Sequence, residues 1–272
     1  MPTSESFRDF EHTGWIDNSV ALSYHRKVAE VTRACIPALL EAADLKIGDR
    51  ILDVACGAGY VAAAARDRGV DAVGVDFSAA QIRLAEQSYP GIRFIEGDAE
   101  ALPFTDAELD AVLNAFGLPH VPNPDVATAE AYRVLKRGGR FVYASWSEAA
   151  KCIGFSMFYD AIREHGSLDV GLPSGPNFFN YGNPDFAKNM LGRAGFADVW
   201  TKEVPLVWRV ASPDTIIEAI SSGTVRAAAV LNRQSPENLA KIKQNLHERI
   251  AVFRQNDVYE VPTPALVVLG RR

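Results

Sequence analysis

Cysteine is scarce in this chain. Only Cys35, Cys56 and Cys152 occur among 272 residues, odd in number and widely spaced. That excludes a disulfide framework and a zinc ribbon and makes a reducing cytoplasm the expected compartment. Long apolar runs are also missing. No uncharged apolar stretch approaches the roughly 18 residues of a membrane span. The most apolar window, Gly59 to Ala65, is cut off by Arg66 and Asp67. Met1 to Trp15 contain no apolar run flanked by basic residues, so no signal peptide is evident. Positive charge is not in excess: the net charge is −6 and the pI about 5.4. Such a chain lacks the general electrostatic footprint for nucleic acid. Its small basic groups (Arg66/Arg68, Lys136/Arg137/Arg140, Arg271/Arg272) read as solvated edges or helix C-terminal charges. What the chain does have is 48% hydrophobic residues, enough for a packed interior. Its length suits one α/β domain of 1–272 or a core with a small cap.

Residues 1–48 read as a helical lead-in. Val28, Val31, Cys35, Ala38, Leu39 and Ala42 fall at helical spacing, with a kink or restart at Pro37. Phe7, Phe10, Trp15 and Tyr24 put aromatic rings on this segment, which either folds over a ligand or is stapled by them to the core. Residues 49–150 form the expected cofactor-binding core. Strands are predicted at Ile51–Ala55, Ala72–Asp76, Ile92–Glu96, Ala111–Ala115 and Arg140–Ser145, with helices Tyr60–Arg68, Ala79–Ser88 and Asp125–Leu135 between them. Asn123 is the expected N-cap of the last, with Pro124 in its first turn. Alternation with short links predicts a parallel sheet covered on both faces. After Trp146 the pattern loosens. Residues 151–183 read as an aromatic insertion, and 184–210 as core with helix Asp185–Ala194 and one long strand, Val199–Val210, interrupted by Pro205. Residues 211–257 read as a helical cap started at Ser212-Pro213 and Ser235-Pro236, and 258–272 as the last core strand. The insertion and the cap are expected to cover the carboxyl edge of the sheet.

The organising stretch runs from Arg50 to Ala62. A short apolar strand feeds the turn Gly57-Ala58-Gly59, and an alanine-rich helix leaves it. Glycine lets a flat ligand lie against the backbone, and the free N–H groups of the helix start point at it. That describes a nucleotide-cofactor site, and the turn alone also fits a relaxed dinucleotide fingerprint. Three carboxylates discriminate. Asp53 lies inside the first strand, four residues before Gly57. An anionic pyrophosphate disfavours a carboxylate there, whereas a ligand carrying an ammonium and a sulfonium tolerates it. Asp76 ends the second strand, where it can accept two ribose hydroxyls. Asp98 follows the third strand, where it can accept from the exocyclic amine of adenine, with Phe77 or Leu102 over the ring face.

The runs Leu52-Asp-Val-Ala-Cys-Gly-Ala-Gly59, Val73-Gly-Val-Asp-Phe-Ser78, Gly97-Asp-Ala-Glu-Ala-Leu-Pro-Phe104 and Tyr132-Arg-Val-Leu-Lys-Arg-Gly-Gly-Arg140 resemble the class I S-adenosylmethionine-dependent methyltransferases. The nearest likeness is to the small-molecule branch that includes the ubiquinone/menaquinone-biosynthesis C-methyltransferases. The resemblance spans about residues 45–147. It implies an α/β, Rossmann-like, seven-stranded, mostly parallel sheet of order 3-2-1-4-5-7-6 with the last strand antiparallel. It implies S-adenosylmethionine as cofactor, with Gly57 and Gly59 at its methionine and ribose part and Asp76 on the ribose. Asp98 and the Ala99 N–H would meet the adenine, and Asn114 and Ala115 would lie beside the methionine. Asp53, Ala55, Phe77 and Tyr24 complete the expected cofactor set. Where the branch often carries two histidines after strand four, this chain has only His120, and the Asn-Pro-Pro-Tyr pattern of base and glutamine methylation is absent.

The expected reaction is in-line methyl transfer to an O, N or C nucleophile of a small aromatic or lipophilic metabolite. Orientation supplies most of its rate, so a base is optional. His120, just beyond strand four, is the candidate base or else a histidine that hydrogen-bonds its loop. Trp15, His120, Trp146, Phe178 and Tyr181 are the expected substrate contacts, under a cap that Trp208 helps to fill. The alternative for these rings is ordinary cap core. No metal is expected, since the three cysteines lie in unrelated segments. The expected partner is a small-molecule acceptor rather than nucleic acid, with a homodimer allowed. Two other functions fit less of the pattern: a protein of this fold that binds the cofactor without methylating, and an NAD-dependent oxidoreductase.

Overall fold

The computed structural model describes residues 4–272. Its seven-stranded sheet has the order β3-β2-β1-β4-β5-β10-β6, built from β1 (Arg50–Val54), β2 (Asp71–Asp76), β3 (Arg93–Glu96), β4 (Leu109–Ala115), β5 (Leu135–Trp146), β6 (Ala197–Val204) and β10 (Ala265–Arg271). The first five are parallel, with Leu52 opposite both Val73 and Val112. β10 runs antiparallel to both β5 and β6. This is the order that the resemblance implied, with β10 in the seventh place.

Because side chains alternate along a strand, β1 feeds two cores. Ile51 packs with Leu39, Leu40 and Ala62 on one face, and Leu52 and Val54 pack with Val73, Val75 and Tyr143 on the other. Both faces are covered, so these strands read as continuous apolar runs.

The lead-in is helical, as its spacing predicted: Ser4–Trp15, Asn18–Ser23, a π-turn at Tyr24–Val28, Ala29–Arg33, then Ile36–Ala43 restarting with Pro37 in its first turn. Helix Ser4–Trp15 is tied to the core where the Ser78 hydroxyl donates to the Trp15 carbonyl at 2.6 Å. Ser78, Asn183, Ser212 and Ser235 all cap helices with their side chains. Asn123 does not. Its N–H and its amide instead donate to Glu100 at 2.9 and 2.8 Å, which ties this helix start to the loop after β3.

Two expectations about the second half are corrected. The long strand Val199–Val210 is two strands in two sheets. Pro205 has no N–H for a ladder, so β6 ends at Val204 and the chain turns into β7 (Val207–Val210). β7 pairs with β9 (Val258–Pro262), which also pairs with β8 (Arg254–Gln255), in a separate three-stranded sheet. Residues 258–262 therefore do not belong to the last core strand. The insertion is also more regular than its Gly and Pro content suggested, since it holds the thirteen-residue helix Ile153–His165. Helix Pro236–Ala251 packs on that helix, and Pro213–Gly223 packs on the turn Tyr24–Val28. The late helices thus brace the lead-in, and the insertion helix covers the carboxyl end of β5, where Phe155 packs on Trp146. Among the described residues no helix is long and apolar enough to cross a membrane.

Candidate functional site

A cavity of about 570 Å³ opens at the carboxyl ends of β1, β2 and β4, where open α/β sheets bind ligands. Its floor is the turn after β1. Ala55, Gly57 and Gly59 all have positive φ, at 53°, 52° and 82°. Phe116, just past β4, does too, at 62°. Ala55 and Phe116 both line the cavity, so two non-glycine residues hold a conformation that costs about 1–3 kcal/mol each, at the place where strain is usually functional. Gly59 is needed for another reason. A Cβ there would lie 2.6 Å from the Phe94 ring, so its bareness serves packing of the helix Tyr60–Arg66, and the residue lies outside the lining.

The three carboxylates singled out from the sequence all lie along this cavity, together with Asp9, Glu11 and Glu96. Asp53 is 1% exposed, and its Oδ2 accepts from the Ala62 N–H at 3.0 Å, in the first turn of the helix. Its Oδ1 is buried and has no partner. Burial pushes the Asp53 carboxyl up to about 8; the Ala62 N–H opposes this and the nearby Asp76 charge adds to it. Asp76 accepts from the Gly57 N–H at 2.8 Å and the Ser78 N–H at 2.9 Å, so it also pins the glycine turn. Burial pushes it up to about 6 against those two bonds. Asp98 accepts from the Glu100 N–H at 2.9 Å and is ion-paired to Arg8 of the N-terminal helix, whose other nitrogen meets Glu100 at 2.6 Å. Phe77 and Ala99 lie beside these groups and Tyr24 lines the wall; the Tyr24 hydroxyl donates to Thr32 at 3.4 Å.

The structure thus gathers Trp15, Tyr24, Asp53, Ala55, Gly57, Asp76, Phe77, Asp98, Ala99, Ala115 and His120 around one cavity. Besides Gly59, it places four other expected residues elsewhere. Asn114 is 1% exposed behind the wall. Its amide donates to the Val54 carbonyl at 2.8 Å, and its carbonyl accepts from the N–H groups of Gly117 and Leu118. One N–H and the carbonyl of this side chain are thus spent on joining β4 to β1 and shaping the next loop. Trp146, Phe178 and Tyr181 do not reach the cavity either. Trp146 stacks between Phe116 (4.3 Å) and Phe155 (4.7 Å), which continues to Trp208 (5.6 Å) and Phe178 (5.8 Å). Tyr181 packs on Phe186 in the core of the opposite sheet face. These rings form core because they satisfy one another.

Sequence reasoning missed Arg8, Glu11, Arg33 and Tyr60, all of which line the cavity. Glu11 is 2% exposed, and its Oε2 accepts from the Trp15 indole N–H at 3.0 Å and lies 2.9 Å from His120 Nδ1. The four-residue spacing of Glu11 and Trp15 on one helix was the available sign. Among the described residues no three His, Cys, Asp or Glu converge as metal ligands.

Fold and cavity together define a nucleotide-cofactor protein whose crevice is acidic rather than built for a pyrophosphate. The unpartnered Asp53 Oδ1 suits a ligand that brings a cationic donor, as the amino-acid end of S-adenosylmethionine does. Residues 52–143 match the family described as "Methyltransferase domain". A demethylmenaquinone methyltransferase of Paenarthrobacter aurescens is 30% identical over 201 residues, covering 69% of this chain and 79% of that one. One of Renibacterium salmoninarum is 46% identical over 100 residues, where the match spans only 42% of that protein. A ubiquinone/menaquinone biosynthesis C-methyltransferase of Allorhizobium ampelinum is 35% identical over 174 residues, covering 56% and 66%. The chain belongs to the class I S-adenosylmethionine-dependent methyltransferases, of the type that includes these quinone-biosynthesis enzymes. Solved structures share the fold. The YcgJ protein of Bacillus subtilis has a TM-score of 0.58 at 18% identity, covering 88% of this chain and 98% of that one. A Haemonchus contortus phosphoethanolamine N-methyltransferase, solved with S-adenosylhomocysteine, has a TM-score of 0.59 at 16% identity, covering 98% and 60%.

Proposed function

We propose that this chain transfers the methyl group of S-adenosylmethionine to a ring carbon of a hydroxylated aromatic acceptor of the demethylmenaquinol type. The observation that carries the cofactor half is the line of carboxylates Asp53, Asp76 and Asp98 along one cavity, the first with an unused buried oxygen. Asp53 would hold the ammonium, Asp76 the ribose hydroxyls, and Asp98 with the Ala99 N–H the adenine edge. Bound there, S-adenosylmethionine supplies a methyl group activated by a cationic sulfur. The acceptor half is supported by the names of the relatives and by the apolar wall of Trp15, Tyr24 and Phe116 around His120.

The protein's own contribution is mostly positional. The rigid turn Ala55–Gly59 and the strained Phe116 fix the walls between which the acceptor must lie, and orientation of this kind is worth roughly 7–11 kcal/mol at best. Helix Ser4–Trp15 supplies Arg8, Glu11 and Trp15 to the cavity and so excludes water from it. His120 is the group placed to take a proton from the acceptor hydroxyl.

The test is incubation of the purified chain with labelled S-adenosylmethionine and a short-chain demethylmenaquinol in detergent. Label appearing on the ring carbon is the expected result. Label on oxygen, or none while S-adenosylhomocysteine still binds, contradicts the acceptor assignment.

A further inference from the structure

We propose that Glu11 and His120 form a carboxylate–imidazole dyad in which Glu11 is the positioning residue that sets the His120 tautomer for proton abstraction. The proposal rests on the acceptor reading above and assigns a residue to its proton-transfer step.

The two residues are 109 positions apart and come from elements distant in sequence. Glu11 lies on helix Ser4–Trp15, and His120 ends the one-turn helix Leu118–His120 after β4. Glu11 is almost fully buried yet has no lysine or arginine as ion-pair partner among the described residues; its polar contacts there are the Trp15 indole N–H and His120 Nδ1, both on the same oxygen. A carboxylate accepts and does not donate, so Nδ1 must carry the hydrogen. In the neutral ring that leaves Nε2 with its lone pair, and Nε2 makes no hydrogen bond to any described residue. The ring cannot turn freely. Trp15 packs edge-on against it at 5.2 Å and 83° between planes. The same indole donates to Glu11, so one side chain fixes both members of the pair. His120 lines the cavity and its side chain is still 26% exposed, which leaves the imidazole open to an acceptor.

The chemistry balances without another reagent. As the ring carbon of the acceptor forms its bond to the methyl, the methyl–sulfur bond breaks and its electrons stay on sulfur. The hydroxyl proton passes to His120 Nε2, and the O–H electron pair raises the electron density at the attacking carbon. While that proton is on Nε2, Glu11 faces an imidazolium, whose charge it stabilises through the Nδ1–H bond. The methylated carbon then loses its own proton to water, and the oxygen takes back the proton from His120 Nε2, which restores the aromatic hydroxyl and the neutral imidazole.

The test uses the full chain and the variants Glu11→Gln, Glu11→Asp and His120→Gln. Two readouts are taken: steady-state kinetics with the short-chain demethylmenaquinol, and nitrogen NMR of the His120 ring. Expected are a Nδ1–H signature in the wild-type protein that is lost or mixed in Glu11→Gln, and a fall in kcat of about tenfold or more in Glu11→Gln. His120→Gln should lose about 10²-fold. KM and S-adenosylhomocysteine affinity should stay within about twofold, and Glu11→Asp should recover part of the rate. Equal turnover of wild type and Glu11→Gln, or a wild-type ring protonated on Nε2 alone, overturns the dyad. A protein that binds S-adenosylhomocysteine but methylates no quinol refutes the acceptor assignment instead, and the ring spectrum then decides the dyad by itself. If Glu11→Gln does not fold, Glu11→Asp carries the kinetic comparison.

Discussion

The two halves of this chain use similar residue types for opposite ends. Among the described residues, those that line the cavity all lie between Arg8 and Pro122. Residues 146–208 hold a denser set of aromatic rings, yet none of them reaches the cavity. The difference is charge. In the first half, buried carboxylates cannot pack against one another, so Asp53 and Asp76 on the strands and Glu11 on the N-terminal helix hold a space open. In the second half Trp146, Phe155, Phe178 and Trp208 have nothing to do but stack, and they close the space between them. Aromatic density locates a core, whereas buried acids beside bare backbone locate a site.

The largest effect that would break this contrast is on stability. Trp208→Ala should cost about 3–5 kcal/mol, because the ring is 3% exposed and leaves a cavity. S-adenosylhomocysteine affinity should stay within about twofold, by calorimetry at a temperature where both proteins are folded. A loss of affinity matching the loss of stability would make the cap part of the site.

Next comes binding. Asp76→Ala removes an acceptor that holds Gly57 and Ser78 and faces the cavity. Cofactor affinity should fall by about 1–3 kcal/mol. An unchanged affinity would mean that the carboxylate serves the turn alone.

The pH dependence has a definite sign. The folded state raises Asp53 from 3.8 to about 8 and Asp76 from 3.8 to about 6. Between those limits these two groups hold more protons in the folded protein than in the unfolded chain, so their contribution to the stability of the ligand-free protein is fully present below about pH 4. That contribution is lost as pH rises, through about 6 for Asp76 and about 8 for Asp53. Asp53→Asn should therefore stabilise the ligand-free protein at pH 8 by about 1–3 kcal/mol, in chemical denaturation. It should also weaken S-adenosylmethionine. In the wild type, binding should tighten as pH rises toward 8, because an ammonium prefers the ionised acid. Flat affinity from pH 6 to 8 would argue that Asp53 does not meet the ligand.

The smallest expected effect is at Tyr181, whose ring packs in the core and whose hydroxyl makes no hydrogen bond to a described residue. Tyr181→Phe should leave methyl transfer unchanged and shift stability by no more than about 0.5 kcal/mol. A clear fall in turnover would return this residue to the acceptor pocket.

The parallel half of the fold was legible in the sequence because its signals are local. Apolar runs, the glycine turn and the acids at strand ends all sit within a few residues of one another, and the order of the sheet followed from the resemblance they carry. Three features were not legible. Pro205 could be read as an interruption, but whether the chain resumes in the same sheet depends on β9, more than fifty residues later. Asn114 matched its expected position at the end of β4, yet the Val54, Gly117 and Leu118 groups that occupy it are visible only in three dimensions. Glu11 belongs to no motif and acquires its meaning from His120, which no sequence spacing connects to it.

The most direct measurement is a crystal structure of the chain grown with S-adenosylhomocysteine. The expected result is ligand density along the cavity, with the amino group within hydrogen-bond reach of Asp53 Oδ1 and the ribose hydroxyls on Asp76. Density elsewhere, or a ligand in the cavity with those two carboxylates turned away from it, would contradict the assignment of the site.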